Sequence, residues 1–161
     1  VYPGLIGHVS LVVDNEEINY GRYVDNGSSM VIQSPTGEAG VVIYKDFESK
    51  KRLNAGTKEL VLELTSEEAA KVVKVFKEII NNNAYYWAEK TANNAHLDGA
   101  YRFNSDSPYK NYILWKRNCT TFTMDVLKSA LGENDSRINI IVNDWIPALV
   151  ASDVDYINKN R

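Results

Sequence analysis

The chain has 161 residues, 44% hydrophobic and 24% charged, enough to bury a core of its own and of a size that predicts one domain over residues 1–161. A net charge of −3, with Lys and Arg scattered among acidic residues, leaves no basic stripe for successive phosphates and argues against nucleic-acid binding. One cysteine precludes an internal disulfide; with only two histidines and no second thiol there is no zinc spacing, so no metal or other cofactor is expected, and no apolar run approaches membrane-spanning length.

In chain order, the start Val1-Tyr2-Pro3-Gly4 lacks an initiator Met and a signal-peptide pattern and reads as that of an excised or processed domain. Residues 8–13 alternate as a strand, with His8, Ser10 and Val12 on one face and Val9, Leu11 and Val13 on the other. Asp14-Asn15-Glu16-Glu17 reads as a hairpin turn with solvent-facing charges, and residues 18–24 as the returning strand. A Gly/Ser/Pro-rich loop follows, holding a short strand at Met30-Val31-Ile32; strands are predicted over 41–45 and 58–64, the latter sending Leu60, Leu62 and Leu64 to one face. Lys50-Lys51-Arg52 reads as a solvated turn. The predicted sheet is mostly antiparallel.

Thr65 and Glu68 fit a capping box opening a helix to about Asn81, with Ala69, Val72, Val73, Phe76, Ile79 and Ile80 at helical spacing and Lys71, Lys74 and Lys77 facing water. Residues 85–117, rich in Tyr, Asn and Ser, read as a partly helical segment plus loop, their aromatics chiefly packing. A second helix is predicted over 119–131, with Asn118 as N-cap and Gly132 past its end. A strand over 138–142 and a last short helix from Asp144-Trp145-Ile146-Pro147 complete the reading. The fold class is therefore α+β, an antiparallel sheet packed against helices.

Cys119 carries the chemistry. In the first turn of a helix a thiol faces unpaired N–H groups and the positive dipole end, which favour the thiolate. A lone cysteine on an apolar helix face is more often an inert core residue, so the reading turns on a base. His8 can serve, whereas His96, in an Asn-rich stretch, reads as a surface residue and is given no role.

His8-Val9-Ser10-Leu11-Val12-Val13, continued to Gly21, resembles the histidine hairpin of the NlpC/P60 family of papain-like thiol hydrolases. There the cysteine precedes the histidine; here the order is reversed, as in the circularly permuted branch that includes lecithin:retinol acyltransferase-like proteins. The Asn-Cys-x-x-Phe signature of those proteins is similar to Asn118-Cys119-Thr120-Thr121-Phe122. Tyr112 upstream, the capped helix between sheet and cysteine, and the Pro-containing helix after it also look like that branch.

The resemblance implies a circularly permuted papain-like fold in which Cys119 attacks an acyl carbonyl and His8 shuttles the proton. It leaves the third residue open. The family position often held by a second histidine aligns with Tyr20, next to Asn19. An even-length hairpin loop places Asn19 on the face of His8, while a one-residue bulge brings Tyr20 round.

Three functions follow as expectations. The first is an amidase or endopeptidase acting on peptidoglycan peptides, as a bacterial toxin or effector domain secreted or delivered to the periplasm and met by an inhibitory, immunity-type protein. The second is a thiol acyltransferase or lipid esterase on an acyl substrate; the third, a non-catalytic binding module with Cys119 a buried relic.

Overall fold

The computed structural model describes residues 8–22, 36–46, 60–88 and 97–139. The chain starts with a hairpin of β1 (Leu11–Val13) and β2 (Glu16–Arg22), joined by Asp14 and Asn15 with φ of 49° and 63°. Two successive left-handed residues match the twist of the strands they join, a conformation Asp and Asn tolerate. Leu11 therefore faces Ile18 and Val12 faces Glu17.

β3 (Thr36–Tyr44), β4 (Ala84–Ala88), β5 (Leu97–Phe103) and β6 (Asn111–Ile113) complete a sheet of order β1-β2-β3-β5-β4, with β6 on the Thr36–Glu38 end of β3. Every pairing between these strands is antiparallel. Helix α1 (Ser66–Asn83) and helix α2 (Cys119–Leu131) pack on each other, and α3 (Ser136–Asn139) follows. One core holds Ile18, Tyr20, Val41 and Ile43 from the sheet, Val72, Phe76 and Ile80 from α1, and Phe122, Val126 and Leu127 from α2. The architecture is α+β with an antiparallel sheet and helices.

Glu68 has two partners. The Thr65 N–H donates to its Oε2 (2.9 Å) and its own N–H donates to Thr65 Oγ1 (3.2 Å), closing the capping box of α1. Arg137, on α3, donates Nη2 to Glu68 Oε1 (2.7 Å) and to Asp135 Oδ2 (2.6 Å), joining α3 to the start of α1. Arg137 hydrogen bonds hold both carboxyls at about 2. A lowered folded-state value contributes stability above the ordinary carboxylate range, and that stability is lost as pH falls toward 2. Acid titrations of unfolding should show this loss between about pH 4.5 and 2, and Arg137→Gln should flatten it; an equally steep loss in the variant would contradict the clamp.

Four segments depart from the sequence expectation. The residues of the 58–64 strand that are described, 60–64, alternate in burial and lay Leu62 and Leu64 on the core, but among the described residues they join none of the named strands. Period-two burial here reports which side of the chain lies on the core. Residues 85–117 hold three strands, β4 to β6, where a partly helical segment and loop are expected. Residues 136–139 form a helix, nucleated by Asp135 Oδ1 accepting the Arg137 N–H at 2.9 Å, where residue 138 is expected to open a strand. Glu17, expected at the surface, is fully buried.

Smaller shifts affect boundaries. β3 begins at Thr36, five residues before the expected strand, and α1 runs through the Asn run to Asn83. Met30-Val31-Ile32, Lys50-Lys51-Arg52, His96, residues 140–142 and the expected helix from Asp144 lie outside the described residues.

Candidate active site

The cysteine is placed by its cap. Asn118 is fully buried; its Oδ1 accepts the N–H of Thr120 (2.9 Å) and Thr121 (3.1 Å), while Thr121 Oγ1 accepts the N–H of Asn118 (2.9 Å). These bonds close a reciprocal cap at the helix start. Asn118 Nδ2 also donates to the Leu114 carbonyl (2.6 Å), tying the cap to the tight turn in which the Ile113 N–H donates to the Arg117 carbonyl (2.8 Å). Phe122, one turn into α2, stacks on Tyr20 at 4.6 Å and 7°. Cys119 is thus pinned between a cap and an aromatic stack.

α2 lies against the face of Ile18 and Tyr20, and the sulfur meets the backbone just before β1: the Val9 N–H donates to Cys119 Sγ at 3.4 Å. His8, the residue before, hydrogen-bonds the same sulfur, and its Nε2 lies 2.7 Å from Asn19 Oδ1. The Asn19 oxygen accepts Nε2–H, which leaves Nδ1 for the thiol proton. Both partners are buried, Cys119 at 1% and His8 at 6% exposure.

Their ionisations move in opposite directions. Burial pushes the Cys119 thiol up, but the His8 charge, the His8 hydrogen bond and the Val9 and Thr120 N–H groups outweigh it, and the thiol lies below its ordinary value. Burial pushes the His8 imidazole down, yet the Cys119 charge and hydrogen bond, the Asn19 hydrogen bond and the Glu17 charge leave it above the ordinary histidine value. Both shifts favour the charged form of each partner, the thiolate and the imidazolium.

The structure brings Cys119, His8 and Asn19 together, and it places Tyr20 elsewhere. Tyr20 is 1% exposed, on the opposite side of β2 from Asn19, donating its hydroxyl to the Tyr109 carbonyl at 3.0 Å. The two-residue turn, with no bulge, decides between the two neighbours.

Tyr112, marked in the sequence only by its place upstream of the cysteine, lies beside the sulfur. Burial, then the charge of Cys119 and a hydrogen bond to it, push its phenol up, so it stays protonated beside the sulfur. β6 carries it there by pairing Tyr112 with Gly37 of β3. The helix-start amides of Thr120, Thr121 and Phe122 are occupied by Asn118, and among the described residues the Cys119 N–H is the donor of that turn left over.

Among the described residues no group of three or more His, Cys, Asp or Glu side chains could hold a metal ion, and no helix is long and apolar enough to cross a membrane. No protein-family model matches the chain, and neither a curated protein nor a solved structure matches it.

Proposed function

We propose that the chain is a cysteine hydrolase of circularly permuted papain-like type that cleaves an amide bond, with peptidoglycan peptides as the substrate class favoured by its resemblance to NlpC/P60 enzymes. The observation that carries this reading is the convergence of Cys119, His8 and Asn19, remote in sequence, on one hydrogen-bonded line.

The thiolate attacks the carbonyl carbon of the scissile amide, forming a C–S bond and an oxyanion. The Cys119 N–H and the Tyr112 hydroxyl are the donors placed to receive that oxyanion. His8 then gives the ring proton to the leaving amine as the C–N bond breaks, and Asn19 holds the imidazole in the required tautomer throughout. Water, deprotonated by His8, adds to the acyl carbon; the C–S bond then breaks, the carboxylic acid product leaves, and the thiolate is restored beside the protonated ring. No cofactor enters the cycle.

The Asn-Cys-x-x-Phe similarity to acyltransferases is accounted for by packing: Asn118 caps the helix and Phe122 anchors it. It speaks for a shared nucleophile helix and is neutral between water and a second substrate as acceptor. Incubation of the purified chain with isolated peptidoglycan tests the reading. New free amines should appear, and none with Cys119→Ser; amines released equally by both proteins would end it. Cleavage of acyl esters without amide cleavage would move the assignment to the esterase branch.

A further inference from the structure

Arg22 ends β2 on the cysteine's side of the sheet. It comes two residues after Tyr20 and pairs with Ala39 of β3; Tyr20 and Ala39 are both core residues, so the arginine side chain starts on the face that meets α2. Gly37 of β3 gives that side chain its seat. A Cβ there would stand 2.6 Å from Arg22 Cδ and closer still to Nε, so only a glycine leaves the notch that the arginine fills. The same glycine pairs with Tyr112 of β6, the tyrosine beside the sulfur, whose ring lies 6.0 Å from that of Tyr20.

Arg22 is half-buried, and among the described residues its guanidinium has neither an ion pair nor a hydrogen bond. The one acid of β3, Glu38, alternates onto the opposite face and is held there by Arg102, whose Nη1 donates to Glu38 Oε2 at 3.0 Å. Lys116 and Arg117, in the turn that leads into Cys119, have no ion pair among the described residues either. A chain of net charge −3 thus gathers unmatched positive charge next to its nucleophile. An arginine partly withdrawn from water is matched best by a planar acceptor with two oxygens, which its fork of N–H groups fits.

We propose that Arg22 is a substrate-binding residue that receives a carboxylate, so that the chain selects peptides bearing a free acid near the scissile amide. Gly37 fixes the guanidinium by leaving room for it. Two N–H groups of the fork donate to the two carboxylate oxygens; no bond is made or broken at Arg22, which acts on affinity and leaves the chemistry to Cys119 and His8. The use of this contact in cleavage rests on the hydrolase reading, while the binding does not.

Stem peptides released from peptidoglycan, with their carboxylates free or converted to carboxamides, test the proposal. The unsubstituted chain should show a KM about tenfold lower for the free-acid form. Arg22→Gln should raise that KM about tenfold, hold the amidated form and both kcat values within about twofold, and leave iodoacetamide alkylation of Cys119 unchanged. Arg22→Lys, which keeps the charge without the fork, should recover part of the loss. Equal KM values for the two forms in the unsubstituted chain, or an undiminished preference in Arg22→Gln, overturn the proposal. Titration calorimetry with Cys119→Ser needs no turnover. The free-acid form should bind more tightly there, and Arg22→Gln should remove the difference, as should Gly37→Ala, whose methyl displaces the guanidinium. If Arg22→Gln does not fold, Gly37→Ala decides by the same measurement, and binding of neither form overturns the proposal as well. Acid-selective binding with no cleavage by any of these proteins sinks the hydrolase alone, and cysteine-dependent cleavage without acid preference sinks the role of Arg22 alone.

Discussion

Cys119→Ser should lower amide cleavage by on the order of 10⁴-fold or more, and His8→Ala should do nearly the same, because residues that act as one unit are lost as one unit. The His8 variant also has a readout that needs no substrate. At pH 6 a thiol with the ordinary value near 8.5 is only about 0.3% thiolate, whereas His8 holds the Cys119 thiol below its ordinary value and so favours the thiolate. A thiolate of lower basicity is a weaker nucleophile, with a Brønsted slope of roughly 0.4–0.5, which cuts the advantage without cancelling it. Alkylation by iodoacetamide at pH 6 should therefore be about 10- to 30-fold slower in His8→Ala.

Because Cys119 is 1% exposed, the reagent reaches it through local opening, and the dependence on pH within each protein is the quantity to compare. The rate for the unsubstituted chain should rise less steeply from pH 6 to 8. His8→Ala should rise about tenfold per pH unit, as an unassisted thiol does. Parallel curves for the two proteins would mean that the imidazole does not activate the sulfur.

Phe122→Ala should cost about 3–5 kcal/mol of folding stability, the largest single loss expected outside the site. The ring is 2% exposed, stacked on Tyr20 and met edge-on by Tyr109 at 5.3 Å and 83°. Removing it deletes the transfer free energy of the ring and leaves a cavity that Tyr20, whose hydroxyl is held by the Tyr109 carbonyl, is restrained from filling. Since small domains are stable by only about 5–15 kcal/mol, denaturant titration should show a large fall in midpoint. Phe122→Leu, which keeps most of the volume, should lose about half as much. A loss below about 1 kcal/mol for Phe122→Ala would mean that the stack does not hold α2 in place.

The parts of the fold legible in the sequence are those with local chemistry. Thr65 and Glu68 announce α1, Asn118 and Gly132 bracket α2, and Asp14-Asn15 sets the hairpin, because caps and turns are written in adjacent residues. What escaped is held by distant partners. Ala84-Tyr85-Tyr86-Trp87 becomes a strand directly after a helix with no turn residue between, and it is β5 that makes it one. Residues 60–64 carry a strand pattern yet join none of the named strands among the described residues, since periodicity reports which side is covered and not what pairs.

The site divides in the same way. Cys119 and His8 stand out by residue type and local position, and Asn19 is one of two adjacent candidates separated only by strand parity. Tyr112 is marked only by the resemblance, as a tyrosine upstream of the cysteine, and the burial of Glu17 could not be picked out. A tyrosine in an aromatic-rich stretch and a glutamate beside a turn look like a core residue and a surface charge, and only the folded sheet brings one to the sulfur and removes the other from water.

The turn at Asp14 and Asn15 makes the hairpin's chemistry a matter of even and odd. With two residues in the loop, Asn19 and Glu17 lie on the imidazole's side of the ribbon while Ile18 and Tyr20 feed the hydrocarbon interior. One inserted residue would exchange these sets wholesale, sending an amide and a carboxylate into grease and two apolar rings or branches out beside the histidine. Length variation at this bend is thereby quantised: a lineage could lengthen it in steps of two and keep its chemistry, whereas a single step would forfeit triad and core at once.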